Sequence, residues 1–153
     1  MKSKRIKRKE GDVLVIALED GSYCFGRVLP SPLIAFYDIN TKAVPSIDDI
    51  ISAPILFKLW VMDYAVKRGR WEVIGSRELD TTLTAPVKFF KEDTISKSLS
   101  IYYQNKEIPA SREECEGLER AAAWDPEHVE ERLRDHYLGV PNIWVESLKL
   151  NRE

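Results

Sequence analysis

The chain has 153 residues, 44% of them apolar and 31% charged, with a formal net charge of −2. That balance suits a folded core of ordinary size and excludes a disordered or low-complexity chain. No apolar run reaches the roughly 18 residues of a membrane span, and no apolar stretch with a small-residue cleavage site follows the basic start MKSKRIKRKEGD, so neither a span nor a signal peptide is expected.

The charge is uneven: about +4 over residues 1–70 and about −6 over residues 71–153. Residues 1–10 read as a flexible basic tail and 11–150 as one domain. Carboxylates gather between Glu113 and Asp135. As a plain feature this is the wet face of a helix; as a functional one it is an acidic docking surface for a basic partner. The two cysteines, Cys24 and Cys115, suit reduced thiols in a cytoplasm.

The first elements are the clearest. In GDVLVIALEDGSYCFGRVLP two apolar runs flank Asp20-Gly21, a hairpin signal. A two-residue turn there pairs Leu18 with Tyr23, Ile16 with Phe25 and Leu14 with Arg27. Both faces of the first strand are apolar, so both should be covered. Gly26 inside a strand marks a bulge or a close backbone approach. Arg27 on a covered sheet needs a carboxylate or carbonyl partner.

Leu33 to Tyr37 reads as a third strand. Ser46 to Ile51 reads as one helical turn with Ser46 as N-cap and Asp48 and Asp49 in the first turn. Ile55 to Met62 is a long strand and Trp71 to Ile74 another. Thr81 to Pro86 reads as a loop, Val87 to Phe90 as a short apolar stretch, and Ser98 to Tyr103 as a half-exposed strand by its alternation. Ser111-Arg112-Glu113-Glu114 matches a capping box.

The strongest helix is Pro126 to Leu138, with Asp125 as N-cap, Pro126 at the first position, Gly139 as C-cap and Pro141 beyond. Its spacing puts Val129, Leu133, His136 and Tyr137 on the buried stripe. Glu127, Glu130, Glu131, Arg134 and Asp135 then face water, with Glu130 and Arg134 spaced for an ion pair. Ile143 to Leu150 reads as a last strand. The resulting fold class is α+β and β-rich: a mainly antiparallel, curled, barrel-like sheet, SH3-like in one form, with one C-terminal helix packed on it.

Candidate chemistry is sparse. His128, Glu131 and His136 lie on one helix, but a metal site wants three or four converging ligands. Cys115 could meet His128 or His136 only through the fold. Neither G-x-S-x-G, a P-loop nor G-x-G-x-x-G occurs, so no catalytic residue, metal or cofactor is expected. The basic start lacks interleaved aromatics, which argues against nucleic-acid binding. Of Trp60, Trp71, Trp124 and Trp144, the first expected at a surface is Trp124, next to the helix cap.

Three segments carry a resemblance: GDVLVIALEDGSYCFGRVL, RGRWEVIG and GLERAAAWDPEHVEERLRDHYLGVPNIW. In this order and spacing, from about Lys7 to Trp144, they resemble the Imm26 (immunity protein 26) family of bacterial polymorphic toxin systems. The resemblance implies a cytoplasmic, non-catalytic protein that binds and neutralises a cognate toxin domain. Its motif positions here, Gly11, Asp12, Gly21, Gly26, Arg27, Trp71, Arg120, Trp124, Asp125, Pro126 and Gly139, are turns, caps and core by type. The expected toxin-facing residues are instead Glu113, Glu114, Glu116, Glu119, Glu127, Glu130 and Glu131, with Trp124: if the toxin is a nuclease, carboxylates can stand in for phosphates in its basic cleft. Two rival readings are an RNA-cleaving or nucleic-acid-binding SH3-like barrel related to toxin–antitoxin ribonucleases, and a housekeeping protein-interaction module.

Overall fold

The computed structural model describes residues 6–150. Strands β1 (Asp12–Ala17), β2 (Tyr23–Val28) and β3 (Leu33–Tyr37) lead into α1 (Ile47–Ile51), β4 (Ile55–Val61), α2 (Tyr64–Lys67), β5 (Glu72–Ser76) and α3 (Thr81–Thr84). There follow β6 (Phe89–Glu92), β7 (Leu99–Tyr103), β8 (Lys106–Pro109), α4 (Arg112–Cys115), β9 (Glu119–Arg120), β10 (Ala123–Trp124), α5 (Pro126–Leu138) and α6 (Ile143–Leu148). One sheet has the order β10-β4-β3-β2-β1-β5 and the other β8-β7-β6-β9. The fold is α+β and β-rich as expected, but both sheets are open, and no closed barrel forms among the described residues.

The first hairpin forms, shifted by one residue from the expected register. Val13 pairs with Arg27, Val15 with Phe25 and Ala17 with Tyr23. The cause is the turn. The Gly21 N–H donates to the Leu18 carbonyl at 3.1 Å, closing a turn over Glu19-Asp20, and Gly21 takes φ +85°. The Leu18 N–H donates to the Ser22 carbonyl at 2.9 Å, so the loop holds three residues, not two. Three-residue loops use a glycine in the left-handed region at this position, and an odd change in loop length swaps the faces. Arg27 therefore sits opposite Val13 rather than Leu14.

Both faces of β1 are indeed covered. Leu14 and Ile16 join Cys24, Phe36, Trp71, Val129 and Leu133 in the larger core beneath α5. Val13 and Val15 join Phe25, Tyr37 and Ile50 on the other face, beneath α1. Gly26 marks a close approach: an added Cβ would lie 3.3 Å from the Ala35 carbonyl oxygen. Arg27 is buried among carbonyls. Its Nε donates to Gly11 at 2.8 Å and its Nη2 to Arg77 at 2.7 Å and Glu78 at 3.1 Å, while Nη1 donates to the Tyr37 hydroxyl at 3.0 Å.

Several other expectations are corrected. Residues 81–84 form a helical turn rather than a loop, because the Asp80 side chain accepts from the Leu83 N–H at 2.9 Å. Residues 143–148 form a helix rather than a strand, because the Asn142 side chain caps it, accepting from the N–H groups of Trp144 and Val145. β8 follows a turn with positive φ at Gln104 and Asn105, which carries no glycine signal. The capping box at Ser111 and Glu114 and the caps at Ser46 and Gly139 form as read.

Two short parallel pairings position α5. β9 pairs with β6 in the second sheet, and β10 pairs with β4 in the first, so residues 119–124 cross from one sheet to the other immediately before the helix. The Trp60 ring lies 5.0 Å from Phe89 and 5.4 Å from Tyr102, packing the sheets together. Residues 1–5 of the expected tail lie outside the described residues. Further along, the Ile6 N–H donates to Lys67 at 3.0 Å and Arg8 donates to Leu33 at 2.7 Å.

Candidate protein-interaction face

Helix α5 buries Val129 and Leu133, whereas Glu127, Glu130 and Glu131, expected to face water, are each only partly exposed. The expected stripe is corrected at its C-terminal end. His136 is exposed and Tyr137 partly so, whereas Asp135 is only 7% exposed. The reason is a polar brace: Asp135 accepts from Arg134 Nε at 2.9 Å and from Asn142 Nδ2 at 2.9 Å. Arg134 thus pairs with Asp135, and the expected Glu130–Arg134 pair is replaced by one to Arg70.

The α2–β5 turn supplies that arginine. Arg70 donates to both Glu130 oxygens, at 2.8 and 2.9 Å, and lies 3.4 Å from Glu127. Trp71 Nε1 donates to Glu130 at 2.9 Å, and the Tyr64 hydroxyl to Glu127 at 2.7 Å. The Tyr64 hydrogen bond holds the Glu127 carboxyl below its ordinary range. Desolvation, reinforced by that carboxylate, pushes the Tyr64 phenol up to about 12. Trp144 Nε1 donates to Glu131, and the Trp144 ring stacks on His128 at 3.7 Å between centroids. Glu127, Glu130 and Glu131 line a cleft of about 240 Å³ with Leu18, Glu19, Arg70 and Arg134, so four carboxylates face two guanidiniums there.

The remaining nominated residues separate. Glu119 is bound in a fork by Arg132, at 3.0 and 2.8 Å, and that guanidinium lies over Phe57. Glu114 caps α4, accepting from the Ser111 N–H, which lowers its pKa. Glu113 and Glu116 are exposed on the same turn. Trp124 is corrected: at 4% exposure it belongs to the core, held by β10. Arg120 ties α6 to the second sheet, donating to Leu148 at 2.9 Å while lying over Phe90.

A second cleft, about 420 Å³, is lined by Phe90, Cys115, Leu118, Arg120, Trp124 and Leu148 among others. Neither thiol is poised as a nucleophile. Burial pushes Cys24 up to about 11 and raises Cys115, and the Cys115 thiol lies against the Ser100 carbonyl, not against a histidine. Among the described residues, no three His, Cys, Asp or Glu side chains converge as metal ligands, and no helix is long and apolar enough to cross a membrane.

Sequence reasoning pointed to Glu119, Glu127, Glu130 and Glu131 as candidates but did not anticipate Tyr64, Arg70, Arg132 and Trp144, whose side chains hydrogen-bond to them. Arg70 stands in a Lys-Arg-Gly-Arg turn, and nothing local links it to a residue sixty positions on.

Fold and face together define an α+β protein whose most organised feature is an acidic helix side with fixed carboxylates. The family model described as immunity protein 26 (Imm26) matches residues 9–100. This chain belongs to the Imm26 family of immunity proteins. No curated protein and no solved structure gives a significant match. The matched span runs from the start of β1 into β7, so α4, α5 and α6 lie beyond it.

Proposed function

We propose that this protein acts in the cytoplasm, where it binds a cognate toxin domain and neutralises it by occluding its active cleft, without catalysis of its own. A steric plug needs no chemistry; it needs a stable, oriented surface. One observation carries the reading: the α5 carboxylates are held in place by Arg70, Trp71, Tyr64 and Trp144 from three other parts of the chain. Carboxylates fixed before binding lose little freedom on association and present the charge pattern that a basic, nuclease-type cleft attracts. The exposed Glu113 and Glu116 extend the negative field beyond the helix.

The test is co-expression with the adjacent toxin domain, scored by cell survival, followed by binding kinetics. Reversing Glu113, Glu116 and Glu127 to Lys should slow association at least about tenfold at low salt and flatten its salt dependence, with a smaller change in dissociation. Unchanged association and salt dependence refute the acidic face. A purified protein that cleaves RNA by itself, with activity lost on a point substitution, refutes the non-catalytic reading.

A further inference from the structure

Nine large apolar residues are exposed among the described residues, and four of them fall within seven consecutive positions: Tyr137, Leu138, Val140 and Ile143. Leu138 and Ile143 are 66% and 69% exposed. Single exposed apolar side chains are ordinary, but a run of them at one corner is not.

Hydrogen bonds tie the backbone of this corner. Gly139, at φ +71°, ends α5, with its N–H donating to His136 and the Val140 N–H donating to Asp135. That bonding pattern is normally completed by an apolar contact between the residue after the glycine and the helix residue whose carbonyl it reaches. Here the second residue is Asp135, so Val140 finds no apolar partner there and stays 48% exposed. Beneath the corner lies the Asp135–Asn142 hydrogen bond, both residues buried. A carboxylate in the last turn of a helix opposes the helix dipole. The chain thus spends a buried polar pair on holding the backbone from 138 to 143 while its apolar side chains point away from the core.

Leu138 stands seven positions after Glu131 in α5, on the same side of the helix two turns on. Ile143 precedes Trp144, whose indole is bonded to Glu131, and Arg134 and Glu131 line the acidic cleft. An apolar centre beside a charged rim is the anatomy of a protein interface.

We propose that Leu138, Val140 and Ile143 form the apolar anchor of the toxin interface and seat in an apolar notch beside the toxin's basic cleft. This rests on the reading of the acidic face as toxin-binding. The two parts do different work: the carboxylates set association and orientation, and the corner sets the lifetime of the complex.

The experiment measures binding of the full chain to the purified toxin domain encoded beside it. Leu138→Asp with Ile143→Asp should weaken binding at least about 100-fold, through faster dissociation and with the salt dependence of association unchanged. Leu138→Ala with Ile143→Ala, the milder pair, should weaken it about tenfold and guards against a folding artefact. Ile95→Asp, at a residue 92% exposed on the β6–β7 connection, should bind as the parent does. Affinity of both corner pairs within twofold of the parent overturns the anchor while leaving the acidic face intact. A toxin-free dimer that Ile143→Asp converts to monomer also overturns it, because a second copy is then the occupant. A parent chain that does not bind the toxin at all refutes the immunity reading itself, and the anchor with it.

Discussion

Arg27 illustrates what one residue asks of a fold. The residue is 2% exposed, and its guanidinium answers to three carbonyls and one hydroxyl, with no carboxylate among its hydrogen-bond partners. Those carbonyls belong to Gly11, Arg77 and Glu78, so one side chain ties the entry of β1 to the exit of β5. Its need for a partner was legible from an arginine within an apolar strand; the identity of the partners was not, because two of them lie fifty residues away. Arg27→Met keeps much of the volume but leaves these acceptors unanswered. It should cost about 3–5 kcal/mol, read as a lower urea midpoint at an unchanged slope. A loss under about 1 kcal/mol would mean that water replaces the guanidinium.

At the level of elements, the α5–α6 corner is the most informative joint. Asn142 caps α6 with its oxygen and holds Asp135 with its nitrogen, so a single amide serves both helices. Asn142→Ala removes a cap worth about 1 kcal/mol and a partner of a buried carboxylate worth about 1–2 kcal/mol more; chemical denaturation should show the sum. The same carboxylate gives a pH signature. The hydrogen bond from Arg134, aided by that from Asn142, holds the Asp135 pKa below its ordinary value. A depressed folded-state pKa means that its contribution is complete above the ordinary aspartate range, near pH 4. That contribution is lost as pH falls through the lowered value. Asp135→Asn should therefore flatten part of the decline in stability as the pH falls below the ordinary aspartate range, measured by urea titration at successively lower pH. The sequence revealed the start of α5 at Asp125-Pro126 and the stop at Gly139, since such signals act within one turn, although the Asp125 side chain makes no cap hydrogen bond to the helix. It misread residues 143–148, where an apolar run of strand character follows an asparagine whose cap only the folded backbone makes visible.

For the whole molecule, the arrangement of the sheets decides what α5 can present. The strands were mostly legible one by one, but their assembly was not: the chain passes from one sheet to the other through the edge strands β9 and β10, two residues each, which no periodicity can announce. Trp60 contributes to the join through Phe89 and Tyr102. Trp60→Ala should destabilise by about 2–4 kcal/mol, and hydrogen exchange should accelerate more in β6 and β7 than in β1 and β2. Equal acceleration throughout would show that the sheets open as one unit.

The sequence by itself determined the local choices: α+β class, the first hairpin, the ends of α5, two-sided burial of β1 and the crowding of carboxylates toward the C-terminal half. These follow from backbone preference and from side-chain periods of two and 3.6, which operate within a few residues. The hairpin's register came from the three-residue loop over 19–21, one residue longer than the Asp-Gly signal suggests, while only the tertiary structure decided the burial of Trp124 and Asp135 and the pairing of Glu130 with Arg70 rather than Arg134. Loop length sets strand parity one residue at a time, and ion pairs form between whichever charges the packed backbone brings together, however far apart they stand in the chain.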